Sequence, residues 1–417
     1  MSSDRKRVLY YPDRKQVVRY GERFGLFTEE GIVDFALQAG WLLTIVSDVN
    51  GHLAPALQSV NASRYDGLIT ITPEDDSAIS KIIRNTTVPT LNLFDSGSEI
   101  NMPKVLMNHH AIGRMGADHL MDQGIEYLAF IRTSEGRQWR ERAHGFHEQV
   151  KSRGRTLFRL DLTAVGLSVF DRLADRERVP WLASQLLRLP RPLGVMIQDD
   201  TLYWHIIEAC ARASLHIPKD IAVASVGNIE SLCKLSEPAL TSVDPNYRRL
   251  GYEAAALLDR LMNGASAPSA PLLVPPGHVE IRGSTDYYAV DDKTLRAVLK
   301  FMRKNFRDPS LSVEDIVKAS GTSRRNLYSI FEHHWPRSIA DTLAEFRVLE
   351  GKRLLAMTDL KQYSVAVQSG FSSEAQMSRA FSKQVGVTPG KFRLENRPVS
   401  EPVSGDGALQ ERIEMPR

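Results

Sequence analysis

Hydrophobic spacing changes period near residue 286, and that change constrains the fold more than any other feature of the 417-residue chain. Before it, apolar runs of four to six residues recur: VLYY (8–11), LLTIV (42–46), GLITI (67–71), VPTLNL (88–93), KVLMN (104–108), YLAFI (127–131), PLGVMI (192–197) and IAVASV (221–226). The first five are bounded by Asp, Asn, Gly or Pro, as buried parallel strands are. Longer segments such as 22–38 and 75–84 read as the helices between them. Parallel strands require crossovers, so this alternation predicts parallel sheets covered by helices. About 280 residues exceed one sheet of ordinary size, which predicts an α/β unit of two lobes with a cleft between them. Ligands in such folds sit beyond the carboxyl ends of the strands.

Beyond residue 286 every segment has helical period, which predicts an all-α unit. Asp292 starts a helix whose apolar positions Leu295, Val298, Leu299, Met302 and Phe306 follow 3/4 spacing. Ser312 followed by Asp315 reads as a capping box for the next. A weak repeat follows: residues 311–334 and 363–386 each run short helix, glycine, small polar residues, longer helix. Gly321 and Gly370 permit the turn, and the serines after them cap the second helix. That is a helix-turn-helix layout, twice. Leu327, Ile330 and Phe331 in one copy, and Met377, Ala380 and Phe381 in the other, form the buried face. The faces left for a DNA major groove carry Arg324, Arg325, Tyr328 and Ser329, then Glu374, Ala375, Gln376 and Arg379. Arg reads guanine, Gln adenine and a carboxylate the cytosine amino group. Lys383, Lys391, Arg393 and Arg397 suit phosphates, which set affinity rather than sequence choice. A helix starting near Ser338, with Ile339, Leu343, Phe346, Leu349 and Leu354 along one side, joins the copies. A rigid connector of that kind holds two reading helices about one DNA turn, roughly 34 Å, apart.

Charge agrees with this division. Residues 291–397 hold 19 Lys and Arg against 12 Asp and Glu, whereas the rest holds 34 against 38, so the basic excess lies where DNA is expected. Cys210 and Cys233 form no CxxC, and no zinc-ligand spacing accompanies them. His109-His110 and His333-His334 are adjacent pairs whose members diverge, so no metal is expected. No cofactor is expected either: GxGxxG, Walker, GxSxG and HExxH motifs are absent, which disfavours an enzyme. No stretch approaches 18 apolar residues, and the charged N-terminus lacks a leader's apolar core, so neither membrane nor secretion is expected and the cytoplasm is. The last residues, 398–417, have no periodic apolar face and read as disordered. The expected division is therefore 1–286, 287–397 and that tail.

The last 105 or so residues resemble the AraC-type DNA-binding domain through Val365-Ala366, Gly370-Phe371, Phe381, Lys383, Gly386, Pro389, Phe392 and Arg393. Three positions depart from the pattern: Gln362 stands at an apolar place, Gly351 where the connector has Ala, and Trp335-Pro336 where a glycine is usual. Residues 7–286 resemble the effector-binding core of the LacI/GalR regulators, in YDGLI (65–69), 88–93, 113–131, RAHGF (142–146), 215–227, PALTSV (238–243) and IRGST (281–285). The resemblance implies a periplasmic-binding-protein-like sensor without that family's N-terminal reading head. It further implies that Arg142 and Asp200 contact a sugar; Asn228 falls where that family has Asp, and Asn108-His109 where it has Asp-Asn. Trp139, Tyr203 and Trp204 lie nearby as flat faces for sugar C–H surfaces. The function implied is a transcriptional regulator, an activator of a sugar-catabolic operon such as that for xylose. Its partners would be operator DNA, a small sugar such as D-xylose, RNA polymerase and a second copy of the chain. The competing expectation is a large unit that only dimerises or senses a non-sugar metabolite.

Overall fold

The computed structural model describes residues 5–12, 22–46, 64–71, 85–93, 102–133, 136–161, 175–286, 290, 292–335, 337–358 and 360–396. The predicted helix at 75–84, Arg397 and the tail lie outside them.

Strands β1 (Arg7–Pro12), β2 (Leu42–Ile45), β3 (Gly67–Ile71) and β4 (Thr90–Asn92) form a parallel sheet in the order β2-β1-β3-β4. Helices α1 (Glu22–Ala39) and α7 (Tyr247–Met262) cover it, closing a core around Val8, Tyr10, Phe24, Ile32, Ile69, Leu250 and Leu258. A bridge from Asn92 to Lys104 leads to β5 (Val105–Met107), which pairs in parallel with β11 (Leu272–Val274). This is the first lobe.

The second lobe is a six-stranded sheet, β12-β10-β9-β8-β6-β7. Its members are β6 (Tyr127–Arg132), β7 (Thr156–Asp161), β8 (Leu193–Ile197), β9 (Ile221–Val226), β10 (Thr241–Val243) and β12 (Val279–Glu280), with only β12 antiparallel. Helices α2 (His109–Asp122) and α3 (Arg137–Ser152) cover one face through Ile112, Leu120 and Phe146. Helices α4 (Asp175–Leu187) and α5 (Tyr203–Arg212) cover the other through Leu182, Leu186 and Ile206. Every residue of β8 and β9 is buried, as continuous apolar runs demand of central strands. A short helix, α6 (Glu230–Leu235), follows β9.

The chain passes between the lobes three times: at Asn108, at Asp244–Asn246 and at 275–278. The crossings are bonded to one another or to the strands they leave. Asn108 N–H donates to the Val274 carbonyl at 2.8 Å, Asp244 N–H to that of His278 at 2.8 Å, and Gly277 N–H to that of Asp244 at 2.9 Å. Three short adjacent crossings are the arrangement a hinge between two lobes takes.

The helical part is α8 (Lys293–Asn305), α9 (Val313–Ala319), α10 (Arg324–His334), α11 (Ile339–Met357), α12 (Gln362–Gln368), α13 (Glu374–Val385) and α14 (Pro389–Asn396). Asp292 caps α8, and the Ser312–Asp315 capping box opens α9. Two cores lie side by side, one around Leu299, Ile316, Leu327 and Phe331, the other around Val365, Phe371, Met377 and Phe381. The 19-residue α11, about 28 Å long, feeds both: Ile339 and Leu343 enter the first, Val348, Leu354 and Leu355 the second. Leu349, expected on the buried side, is 46% exposed. The single apolar stripe read from the sequence is two stripes rotated about the helix, one per core, and Leu349 falls outside both. Arg347 is buried inside the junction and donates to the carbonyls of Phe306, Asp308 and Leu311 at 2.9–3.2 Å, tying the end of α8 to α11.

Candidate DNA-reading surface and effector pocket

Both reading helices are set by local sequence. Ser323 Oγ accepts from Asn326 N–H at 3.2 Å to start α10, and Ser373 Oγ accepts from Gln376 N–H at 3.2 Å to start α13. Gly370 has φ +85°, and a Cβ there would lie 1.9 Å from the Phe306 carbonyl oxygen, so the second turn needs glycine for both backbone shape and space. Leu327, Phe331, Met377 and Phe381 are buried; Arg324, Arg325, Tyr328, Ser329, Glu374, Ala375 and Arg379 are exposed, as the two-faced reading required. Gln376 is half-buried, and its Oε1 accepts from the Ser372 N–H and hydroxyl at 2.9 and 3.0 Å, so it serves the helix start as well as offering its amide group.

Several cations of this surface are paired within the chain. Arg324 bridges to Glu314 and lies 6.0 Å from the Tyr328 ring centre. Lys383 Nζ is 2.7 Å from Asp341 and holds that carboxyl below its ordinary range. Arg393 donates to the Leu360 carbonyl at 2.6 Å, so it fastens α14 as much as it adds charge. Lys391 is exposed.

In the sensor part, Phe24 and Leu93 from the first lobe face His109, His110, Gln138 and Glu141 of the second across one pocket, which also touches the hinge at Asn108. Asn108 caps α2 by accepting from Ala111 N–H at 2.9 Å. Arg142 is buried behind this lining: its Nε donates to His109 Nδ1 at 3.2 Å and its Nη1 to the Gln198 carbonyl at 2.7 Å. Half-buried Trp139 stacks on it, with the guanidinium 4.6 Å from the ring centre. Burial and then the Arg142 cation hold His109 well below an ordinary imidazole pKa, so the ring is neutral. With Nδ1 accepting, Nε2 carries the proton and is a donor.

Three residues expected to grip a sugar are placed differently. Asp200 is fully buried; Oδ1 accepts from Ser242 at 2.7 Å and Oδ2 from Ile229 N–H at 2.7 Å, while burial raises its pKa. Asn228, at φ +52°, accepts from Arg282 at 2.7 Å. These two organise the loop after β9 from within the second lobe. Trp204 is 45% exposed on α5 and is not among the pocket-lining residues. Tyr203 is buried and donates to the Pro238 carbonyl at 2.8 Å. Sequence reasoning missed Phe24, Arg137, Gln138 and Glu141 at the pocket; the proximity of 137–141 to the Arg142 motif was the available signal. It also missed that the fold brings His110 to His144 and Glu148, which lie 34 and 38 residues further along the chain.

The two parts of the chain meet along the C-terminal end of α2. Arg153 donates to Asp118 at 3.1 Å and Asp122 at 2.9 Å; Asp122 is also 4.0 Å from Arg337, which reaches Glu345 on α11 at 3.1 Å. Beside it, His119 bonds Thr285 at 2.9 Å and is driven down to about 3 by burial and by Arg303 of α8, which pairs with Asp286 at 3.7 Å. One helix therefore has its first turn at the pocket and its last turn against the DNA-reading part.

A hinged two-lobed α/β unit joined to paired helix-turn-helix units defines a ligand-sensing, DNA-binding transcriptional regulator, and comparison with known proteins agrees. Residues 117–285 match the periplasmic binding protein-like domain and residues 316–395 a helix-turn-helix domain, here of AraC type. The chain is homologous to the xylose operon regulatory proteins: it is 26% identical to that of Haemophilus influenzae and 27% to that of Escherichia coli K12, covering 88% and 89% of this chain and 94% of each relative. A solved structure of a xylose-binding transcription activator, XylR, shares the fold over 95% of this chain and all of the other, with a TM-score of 0.55 and 23% identity. Among the described residues no helix is long and apolar enough to cross a membrane.

Proposed function

We propose that the chain activates a sugar-catabolic operon, binding D-xylose or a closely related small sugar between its lobes and tandem operator half-sites with α10 and α13. The observation that carries this reading is the path of α2, from the pocket at His109 to Asp122, whose partner Arg337 reaches Glu345 of α11. In this mechanism the neutral His109 donor, Arg137, Gln138 and Glu141 meet sugar hydroxyls, while Phe24 supplies a flat apolar face. Arg142 and Trp139 hold His109 in place; Asp200 and Asn228 hold the neighbouring loop. Closure of the lobes about the three crossings shifts α2, which re-aims the helical part through α11. Residues 1–286 then act as the sensor, residues 287–397 as the reading unit, two copies pair on DNA, and the bound activator contacts RNA polymerase in the cytoplasm. No step of this account involves catalysis.

The test is a footprint of the full chain on its own promoter with and without D-xylose, alongside a thermal-shift panel of pentoses, hexoses and polyols. Saturating sugar at 100 times its dissociation constant adds about 2.7 kcal/mol of stability. A rise in melting temperature with one sugar, and a changed footprint with the same sugar, supports the reading. No shift with any member favours a large unit that senses another class of metabolite or only dimerises.

A further inference from the structure

The first turn of α2 and the third and fourth turns of α3 place three donor side chains together at the edge of the pocket, which His110 itself lines. His144 and Glu148 are one turn apart on α3, and His110 stands beside them on α2. The helices cross with backbones almost touching: a Cβ added to Gly145 would fall 2.0 Å from the His110 carbonyl oxygen, and one added to Gly113 would fall 2.0 Å from that of Arg142. His110 Nε2 lies 2.7 Å from Glu148 Oε2, the His110 and His144 ring centres are 5.3 Å apart, and one ligand atom from each residue falls within 4.8 Å of the others. Tetrahedral bonds of about 2.1 Å put ligand atoms roughly 3.4 Å apart, so modest side-chain rotations close the site. His144 and Glu148 are exposed and His110 is half-buried, leaving the ion accessible and a coordination place open to water.

We propose that His110, His144 and Glu148 bind one divalent transition-metal ion of the Zn²⁺ class, clamping α2 to α3 at the lip of the pocket. Two imidazoles and one carboxylate select Zn²⁺, Co²⁺, Ni²⁺ or Cu²⁺ over Mg²⁺ and Ca²⁺, which take oxygen ligands. Without an ion the His110–Glu148 pair is an exposed contact of small worth. With one, the angle between the two helices that carry His109 and Arg142 is fixed.

The experiment uses the full chain without a polyhistidine tag, stripped by chelator and titrated with Zn²⁺ by calorimetry and with Co²⁺ by visible absorption. The expected result is one ion per chain, tetrahedral or five-coordinate Co²⁺ bands, a raised melting temperature, and about a tenfold or greater loss of affinity in each of His144→Ala and Glu148→Gln. Both variants change exposed side chains, and circular dichroism checks that they fold. His333→Ala/His334→Ala serves as the control and should bind as the parent does. Absence of stoichiometric binding, affinity unchanged in both α3 variants, or binding that is lost in the control instead would each overturn the proposal. Metal binding is read without sugar or DNA, so its failure is distinct from failure of the regulatory reading.

Discussion

On the proposed reading, single side chains of α10 and α13 would decide which bases this surface contacts. Arg325 and Arg379 are exposed on the free faces of α10 and α13. Replacing either by Ala should weaken operator binding by about 1–3 kcal/mol, measured by mobility shift, while leaving random DNA nearly unaffected. Equal loss on random DNA would assign them to phosphates. Arg324 is held by Glu314, so Glu314→Ala should release a cation and tighten DNA binding in a salt-dependent way. The faces of both reading helices were legible in the sequence because 3.6-residue spacing determines which side a core takes. The pocket was less legible. Asp200 and Asn228 carry the right chemistry for sugar hydroxyls, but their oxygens are engaged by Ser242, Ile229 and Arg282, partners that only the fold brings near.

At the scale of elements, the strands most readily seen were those buried on both faces, such as β3, β8 and β9. Strand β7 is hidden because Arg159 interrupts its apolar run and β12 because two residues carry no period; β11 lies in 263–278, whose Gly, Ala, Ser and Pro content reads as a loop, and is a strand because it pairs with β5. Glycines set the helical part. Gly370→Ala should cost about 2 kcal/mol or more, since it combines a left-handed residue with a backbone collision, whereas Gly321→Ala, in open space at φ +65°, should cost about 1–2 kcal/mol from conformation alone. Gly351 lies inside α11, where an added Cβ meets atoms no closer than 3.5 Å; Gly351→Ala should stabilise the connector by about 1 kcal/mol in thermal unfolding. The same helix carries a pH dependence. Burial alone would raise Glu350, but its bonds from Arg353 and Arg307 outweigh that and hold it below the ordinary carboxylate range. A depressed carboxylate contributes stability at neutral pH that is lost as pH falls below about 4.5 and through the folded-state value. Glu350→Gln should therefore flatten the acid limb of melting temperature against pH.

Over the whole molecule, the order of parts places a sensor hinge ahead of two reading heads, with α2 spanning the distance between pocket and connector. The Asp122–Arg337 pair is half-buried and 4.0 Å long, at the limit of an ion pair, so we expect it to act through the register of the two parts more than through stability. Charge reversal by Asp122→Arg should leave the basal DNA affinity within about twofold while removing most of the sugar-induced change, a coupling of the ordinary 1–3 kcal/mol size. The most direct test of the account is quantitative footprinting of the full chain on its own promoter across a D-xylose titration. Protection of two adjacent half-sites should change with the same midpoint as the sugar's thermal shift. Protection that stays identical at every sugar concentration, with the sugar demonstrably bound, would contradict it.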